Sequence, residues 1–511
     1  MNLSRRDFLK ALGVLSAGSL AAASIPALTR LRAPSGRPNV VILVLDAMTA
    51  RNLSVYGYAR KTTPNLDRLA SRATVYHSHY SAGNFTTPGT ASMLTGLLPW
   101  THRGINLGGL VHEQYVGHNI FSLLQGDYYT AAFTQNYFAE VLLGQFRHGI
   151  DRHIISSSYY EQLDRPLLGK YFPNDPVPTY YGLDDFVFSG RSVPAAPFFA
   201  FLSSLFGKGV SLEDTGEAGY PYGLPNNFFY SYRNDVAFAG VQQEIINLAA
   251  QSPFLAYFHM FSPHEPYRPR AEFVGKFPEI DVPFKKPNKF STLDISRESI
   301  LARRTDYDEY VADVDSEIGK LVDDLTAAGV MDNTYFFITS DHGEMFERGE
   351  YGHITRFLYD AVIHTPLLVL APGQTARVDV TAPTTSLDLL PTLLHLAGKP
   401  VPEGLGGRVL PELGGTADSE RSIFTVEAKE NSSFGPLIHG TISLIYGPYK
   451  LIHYTGYPKK PEAFELYNLQ DDPEEMKDLF EAETSTASLM KQELLDSLAD
   501  ANRPYLKNQS K

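Results

Sequence analysis

The chain has 511 residues, 43% of them hydrophobic and 20% charged, which suits one large enzyme-sized core with a smaller appendage and does not suit disorder. It contains no cysteine, which excludes disulfides, thiolate metal ligands and a cysteine nucleophile. The formal charge of −13 becomes −17 once residues 1–32 are set aside (39 basic against 56 acidic residues), and so acidic a surface argues against nucleic acid as a partner while leaving room for a local pocket that binds a small anion.

The chain opens on Ser4-Arg5-Arg6-Asp7-Phe8-Leu9-Lys10, followed by an apolar, small-residue run over 11–28 with Ala21-Ala22-Ala23 suited to cleavage. A basic head, an apolar middle and small residues after it read as a signal peptide over 1–32 rather than as a domain. The paired arginines resemble the twin-arginine export signal, which implies the twin-arginine machinery as a partner and a protein exported folded, with any cofactor already loaded, to the periplasm or beyond. Left uncleaved, the same segment would anchor the protein to the membrane. No other stretch approaches the roughly 20 apolar residues of a membrane span.

In chain order, residues 40–45 (VVILVL) predict a strand buried on both faces, as in a parallel sheet covered by helices. Residues 86–96 read as a short helix: Thr87 can cap it, Pro88 suits its first position and Gly96 can end it, which leaves Thr86 just outside the N-terminus. Residues 151–235, rich in Tyr, Phe, Pro and Gly, read as an irregular insertion, either a substrate lid or a packed loop, whose one apolar run is 198–206. Runs at 254–260, 335–339, 367–371 and 422–426 repeat the buried-strand pattern, and Val311, Val314, Ile318, Leu321, Val322 and Leu325 mark a helix ending at Gly329. From about 416 a strand, turn and strand pattern precedes Leu466-Tyr467-Asn468-Leu469 and an acidic helix over 472–480. The expected architecture is α/β, a doubly wound, mostly parallel sheet flanked by helices over 33–415, with a small α+β subdomain over 416–511. In such a sheet sites gather beyond the carboxyl ends of strands, so Asp46 and Asp341, each just after a strand, can meet.

Thr86 at a helix entrance sits where the dipole and backbone N–H groups favour an anion, but a threonine hydroxyl needs a metal or base beside it to become a nucleophile. Asp341 and His342, in Ser340-Asp341-His342-Gly343-Glu344, can present one oxygen and one nitrogen to one ion, with Gly343 permitting the tight backbone. With Asp46 and the Thr86 oxygen they make four ligands of mixed type, and the imidazole favours zinc or manganese over calcium or magnesium. Singly, each residue has an ordinary structural reading: Asp46 as a cap, Thr86 as a loop hydroxyl, the Asp-His pair as a turn.

The motifs together resemble the sulfatase family of the alkaline phosphatase superfamily. They are the NVVILVLD run ending at Asp46, Tyr56-Gly57-Tyr58, Thr63-Pro64-Asn65, the 86–96 helix, His102-Arg103-Gly104, Ser340-Asp341-His342-Gly343-Glu344, Thr365-Pro366-Leu367, Asp388-Leu389-Leu390-Pro391 and Tyr449-Lys450-Leu451. The resemblance implies a metal-dependent ester hydrolase acting on a small or envelope-derived anionic phosphate or sulfate ester. Sulfate-cleaving relatives carry C-x-P-S-R or S-x-P-S-R, whose first residue becomes formylglycine. Here the run is Thr86-Thr87-Pro88-Gly89-Thr90, so formylglycine is impossible at Thr86 and the chain is similar to the branch with a threonine nucleophile. That branch includes phosphoethanolamine and phosphoglycerol transferases, which share the threonyl intermediate, so transfer stays open beside hydrolysis. A non-catalytic binding protein stays open too, because the usual paired aspartates are reduced to Asp46-Ala47. The resemblance also implies that His264, in Pro263-His264-Glu265-Pro266-Tyr267, touches the substrate anion, and that His353 donates to the leaving group or binds a second metal. His102, Arg103 and His259 are weaker candidates of the same kind.

Overall fold

The computed structural model describes residues 36–154, 162–163, 219–227, 230–251, 253–278, 286–287, 289–290 and 295–506. The leader and most of the 151–235 insertion, including the run at 198–206, lie outside the described residues.

Eight strands form the main sheet: β1 (Asn39–Leu45), β2 (Thr74–Tyr76), β3 (Tyr129–Thr134), β4 (Arg152–Ile154), β5 (Phe254–Met260), β6 (Thr334–Thr339), β7 (Leu367–Leu370) and β8 (Val378–Val380). Their order is β8-β2-β7-β6-β1-β5-β3-β4. The stretch from β6 to β4 is parallel, while β7 runs antiparallel to both neighbours. β1, at the centre, has all seven side chains buried. Val41, Leu43 and Leu45 feed one core with helices α3 (Asn234–Leu248) and α4 (Arg297–Ala327), while Val40, Ile42 and Val44 feed the opposite core with α1 (Thr86–Thr95), α2 (Tyr137–Gln145) and α5 (Leu389–Leu396). Alternation along a strand sends successive residues to opposite faces, so two covered faces demand an unbroken apolar run.

Register makes the site. Val44 pairs with both His259 and Thr339, and Thr134 also pairs with His259, so the carboxyl ends of β6, β1, β5 and β3 stand level at one edge.

Two expectations need correction. The run beginning at 422 is strand β9 (Ile423–Glu427) of a separate antiparallel sheet with β10 (Gly440–Tyr446), β11 (Tyr449–Thr455) and β12 (Ala463–Asn468). Residues 472–480 form turns rather than a helix, because their acids bond locally: Asp472 Oδ2 accepts from the N–H groups of Met476 and Lys477, both at 2.8 Å, and Asp478 Oδ1 accepts from Leu466 and Phe480, both at 3.0 Å. The helix of this region is instead α6 (Thr484–Leu506), which lays Ala487, Met490 and Leu494 on the antiparallel sheet.

Candidate active site

Asp46, Asp341 and His342 follow the ends of β1 and β6, and Thr86 opens α1. Thr86 is the first residue of that helix, with extended Phe85 before it and Gly96 after it in the left-handed region at φ 66°; the sequence placed it one position outside. The helix can approach the Asp341 loop because residue 89 is glycine, where a Cβ would sit 2.3 Å from the Asp341 carbonyl oxygen. At Gly343 the requirement is likewise room rather than an unusual backbone, since a Cβ there would lie 2.4 Å from the Ala361 carbonyl oxygen.

The four sequence-predicted ligands converge. His342 Nε2 lies 3.4 Å from Thr86 Oγ1, 3.4 Å from Asp46 Oδ1 and 3.5 Å from Asp341 Oδ2. A fifth group joins them: His259, the penultimate residue of β5, places Nε2 3.3 Å from Asp46 Oδ2 and 3.7 Å from Asp341 Oδ2. Ligand atoms of Asp46, His259 and Asp341 lie within 4.8 Å of one another. All are fully buried, and Asp46 Oδ1, Asp341 Oδ2 and His259 Nε2 make no hydrogen bond. Orphaned polar atoms this deep cost stability unless a further group satisfies them, so two carboxylates and imidazole nitrogens aimed inward fit a divalent cation.

The His342 tautomer agrees. His342 Nδ1 donates to the Gly343 carbonyl at 2.9 Å, which leaves Nε2 of a neutral ring as a lone pair facing two carboxylates unless a positive charge comes between. Burial opposes charging this ring, yet Asp341 and Asp46 outweigh it and lift its pKa to about 9. His259 Nδ1 is held by the Tyr257 hydroxyl at 2.9 Å.

Asn136, which the sequence did not single out, bridges Thr86 and Asp46. Its Oδ1 caps α2, accepting from Phe138 N at 2.7 Å and Ala139 N at 3.3 Å. That fixes the amide so that Nδ2 donates to Asp46 Oδ2 and, at 3.1 Å, to Thr86 Oγ1.

His353 and His264 stand beside this cluster, and both line the cavity that reaches Thr86. Their rings are 4.9 Å apart, and His353 packs against His342 with ring centroids 4.2 Å apart and planes tilted by 30°. Both oxygens of Glu344 reach His353 Nδ1 at 3.2 Å, while His264 Nδ1 donates to the Glu265 carbonyl at 2.7 Å. Burial, then the neighbouring His342, push His353 down to about 3, and burial raises Glu344 to about 7. Of the weaker candidates, His102 braces its own loop, Nδ1 accepting from Gly104 N at 3.0 Å and Nε2 donating to Ser92 Oγ at 2.9 Å. Arg103 is spent on the Gly435 carbonyl and the Tyr505 ring.

The family model described as Sulfatase matches residues 38–399. The chain belongs to the sulfatase family. A second model, N-sulphoglucosamine sulphohydrolase C-terminal, matches residues 349–503 of this sulfatase-family protein. It is 24% identical over 478 residues to choline-sulfatase of Rhizobium meliloti, an alignment covering 88% of this chain and 83% of that one. It is 27% identical over 413 residues to N-acetylgalactosamine-6-sulfatase of Rattus norvegicus, covering 76% of this chain and 65%, just under two thirds, of the relative. Phosphonate monoester hydrolases of Silicibacter pomeroyi and Agrobacterium radiobacter superpose with a TM-score of 0.65 each, at 20% and 21% identity, covering 91% of this chain and 96% of theirs. At that identity the likeness speaks to fold: the mostly parallel sheet flanked by helices, followed by the antiparallel C-terminal sheet. Family membership places this sulfatase-family protein among the sulfuric and phosphoric ester hydrolases.

Proposed function

We propose that the protein is an exported hydrolase that cleaves sulfate or phosphate esters through Thr86. The observation that carries this is the convergence of the Thr86 hydroxyl, at a helix N-terminus, with buried and unsatisfied carboxylate and imidazole atoms of Asp46, Asp341 and His259 and with His342. These residues would hold a divalent cation, zinc or manganese by donor type, which when bound supplies Lewis-acid polarisation of the hydroxyl and neutralises developing charge.

The chain's own groups do the rest. Asn136 donates to Thr86 Oγ1, so the hydroxyl proton must point elsewhere and an oxygen lone pair is held in one direction. The first turn of α1 offers backbone N–H groups to the non-bridging oxygens. As Oγ1 bonds to sulfur or phosphorus, the bond to the leaving oxygen breaks and its electron pair departs with the alcohol, which takes a proton passed through the neutral His353 ring from Glu344, the member of the pair whose carboxyl is raised to about 7. Water then attacks the threonyl ester and regenerates the hydroxyl. A transferase would pass the same intermediate to another alcohol; the hydrolases among the relatives favour water. Among the described residues no helix is long and apolar enough to cross a membrane. The Arg5-Arg6 leader supports export through the twin-arginine route, with periplasmic or extracellular residence.

Rapid-quench peptide mapping with a 4-nitrophenyl ester tests the reading: the adduct is expected on Thr86, and an adduct elsewhere overturns it. Asn136→Ser keeps a capping hydroxyl for α2 but withdraws the amide from Thr86, so kcat is expected to fall about 100-fold while the melting temperature barely moves. Equal losses of both in kinetics and thermal melts would reduce Asn136 to a cap. His353→Gln is expected to cost little with a 4-nitrophenolate leaving group and about 100-fold or more with an alkyl alcohol, because only the poorer leaving group needs the proton. A loss independent of leaving-group pKa would remove His353 from that role.

A further inference from the structure

Resting on the cation reading above, we infer that the Tyr257 and Thr90 hydroxyls form a hydrogen-bond relay that fixes the tautomer of His259, keeping its proton on Nδ1 and committing Nε2 to the cation. Both are positioning residues for the metal site and neither touches the substrate.

Two periodicities bring these side chains together. Tyr257 and His259 alternate with Phe258 on β5 and so share one face of the sheet, while Thr86 and Thr90, one turn apart on α1, share one face of the helix. Thr86 meets the ligand cluster at the sheet edge, and one turn later Thr90 comes beside the Tyr257 hydroxyl. Tyr257, His259 and Thr90 are all fully buried, and the Tyr257 ring belongs to the core that Ala91, Met93 and Leu94 of α1 help to build. A phenol hydroxyl at this depth needs partners among its neighbours, and those beside it are His259 Nδ1, at 2.9 Å, and Thr90. The direction of the first bond decides what His259 can do. If Tyr257 donated to Nδ1, the ring proton would sit on Nε2, which is 3.3 Å from Asp46 Oδ2 and 3.7 Å from Asp341 Oδ2 yet hydrogen-bonded to neither, so a buried N–H would be orphaned. Asp46 Oδ2 already accepts from Asn136 Nδ2. If Nδ1–H instead donates to the phenol oxygen, Nε2 turns a lone pair towards the space it shares with Asp46 and Asp341, which is the form a cation needs. The phenol proton must then go elsewhere, and Thr90 Oγ1, which has no other hydrogen-bond partner, is the acceptor beside it. The Gly343 carbonyl does the same for His342 with a backbone atom; at His259 the task falls to two side chains that can be replaced.

Zinc affinity, read by competition with a chromogenic chelator on the folded protein, tests the relay without turnover. Tyr257→Phe is expected to weaken zinc binding by about 10- to 100-fold. Thr90→Val, which keeps the shape and removes the acceptor, is expected to weaken it in the same direction by a smaller factor, while Thr90→Ser, which keeps the hydroxyl, is expected to match the wild type. Because one chain of bonds runs through Tyr257, the Thr90→Val, Tyr257→Phe double variant is expected to bind zinc no worse than Tyr257→Phe alone. A merely structural role predicts otherwise: the melting temperature falls equally with and without zinc, the affinity stays, and the two substitutions add. Long-range proton–nitrogen correlation spectra of the zinc-loaded, histidine-labelled protein are expected to place the His259 proton on Nδ1, the signal being assigned by its loss in His259→Ala. Unchanged affinity in Tyr257→Phe while His259→Ala weakens binding, or a proton on Nε2, overturns the relay alone. A wild type that binds neither zinc nor manganese overturns the cation reading, and the relay with it.

Discussion

Thr86→Ala is expected to lower kcat by a factor of about 1,000 or more on any ester the wild type cleaves, because under the proposed mechanism the substitution removes the atom that would form the covalent bond and leaves only binding and electrostatic assistance. Thr86→Ser is expected to stay within about tenfold: it keeps the oxygen and loses a methyl group that only restricts the rotamer. The pair separates chemistry from structure. Thr86 is 2% exposed and opens α1, so a packing role would make both substitutions shift the melting temperature, with the smaller residues trading places according to lost volume. A nucleophile instead puts the whole difference between Ala and Ser into kcat. Steady-state kinetics beside thermal melts read the two quantities, and an Ala variant as active as the Ser variant would remove Thr86 from the chemistry. The position of the hydroxyl explains the size of the effect. Thr86 Oγ1 has Asn136 Nδ2 at 3.1 Å and His342 Nε2 at 3.4 Å, so neighbouring groups already hold it in place before a substrate arrives.

What could be read from the sequence followed from how local each signal is. β1, β5 and β6 are continuous apolar runs because both of their faces are covered, and the residues just beyond β1 and β6 became site candidates only in combination with Thr86 at a helix start. His259 was legible only as a weaker candidate by the same rule: inside FLAYFHM it reads as core, and the register that sets it level with Val44 and Thr134 is what shows that it stands at the sheet edge. A polar residue one place before the end of an otherwise apolar strand was the available signal. Asn136 was hidden differently, since a residue that caps a helix already has an ordinary reason to be asparagine. The first half of α4 was illegible because its charges are buried among partners: Asp308, fully buried, is bonded by Asn52 and Tyr58 at 2.6 Å and by Arg60 at 2.9 Å. No periodicity of apolar residues reports such a face. The acidic stretch at 472–480 failed as a helix for the reason that Asp favours turns, its short side chain competing for nearby backbone N–H groups.

Removing the metal is expected to have an effect as large as removing the nucleophile, and one that also appears without a substrate. Asp46, His259 and Asp341 are fully buried, and each presents an atom with no hydrogen-bond partner. The metal-free protein therefore carries the desolvation cost of those groups uncompensated, and a cation that binds only the folded state returns it. At a thousandfold excess over Kd the linkage contributes about 4 kcal/mol, so dialysis against a chelator is expected to lower the melting temperature by several degrees and the activity by more than about 1,000-fold, with zinc or manganese restoring both. Asp341→Ala sharpens the test. In that variant the melting temperature is expected to become insensitive to chelator and to added metal, because one of the two carboxylates that hold the charge is gone. A purely structural ion-pair cluster, with a protonated His342 held between Asp46 and Asp341, makes the opposite prediction: chelator leaves the wild type unchanged, and Asp341→Ala destabilises it equally with and without metal. Calorimetric melts of both proteins, with and without chelator, therefore decide whether these groups meet for a cation or for one another.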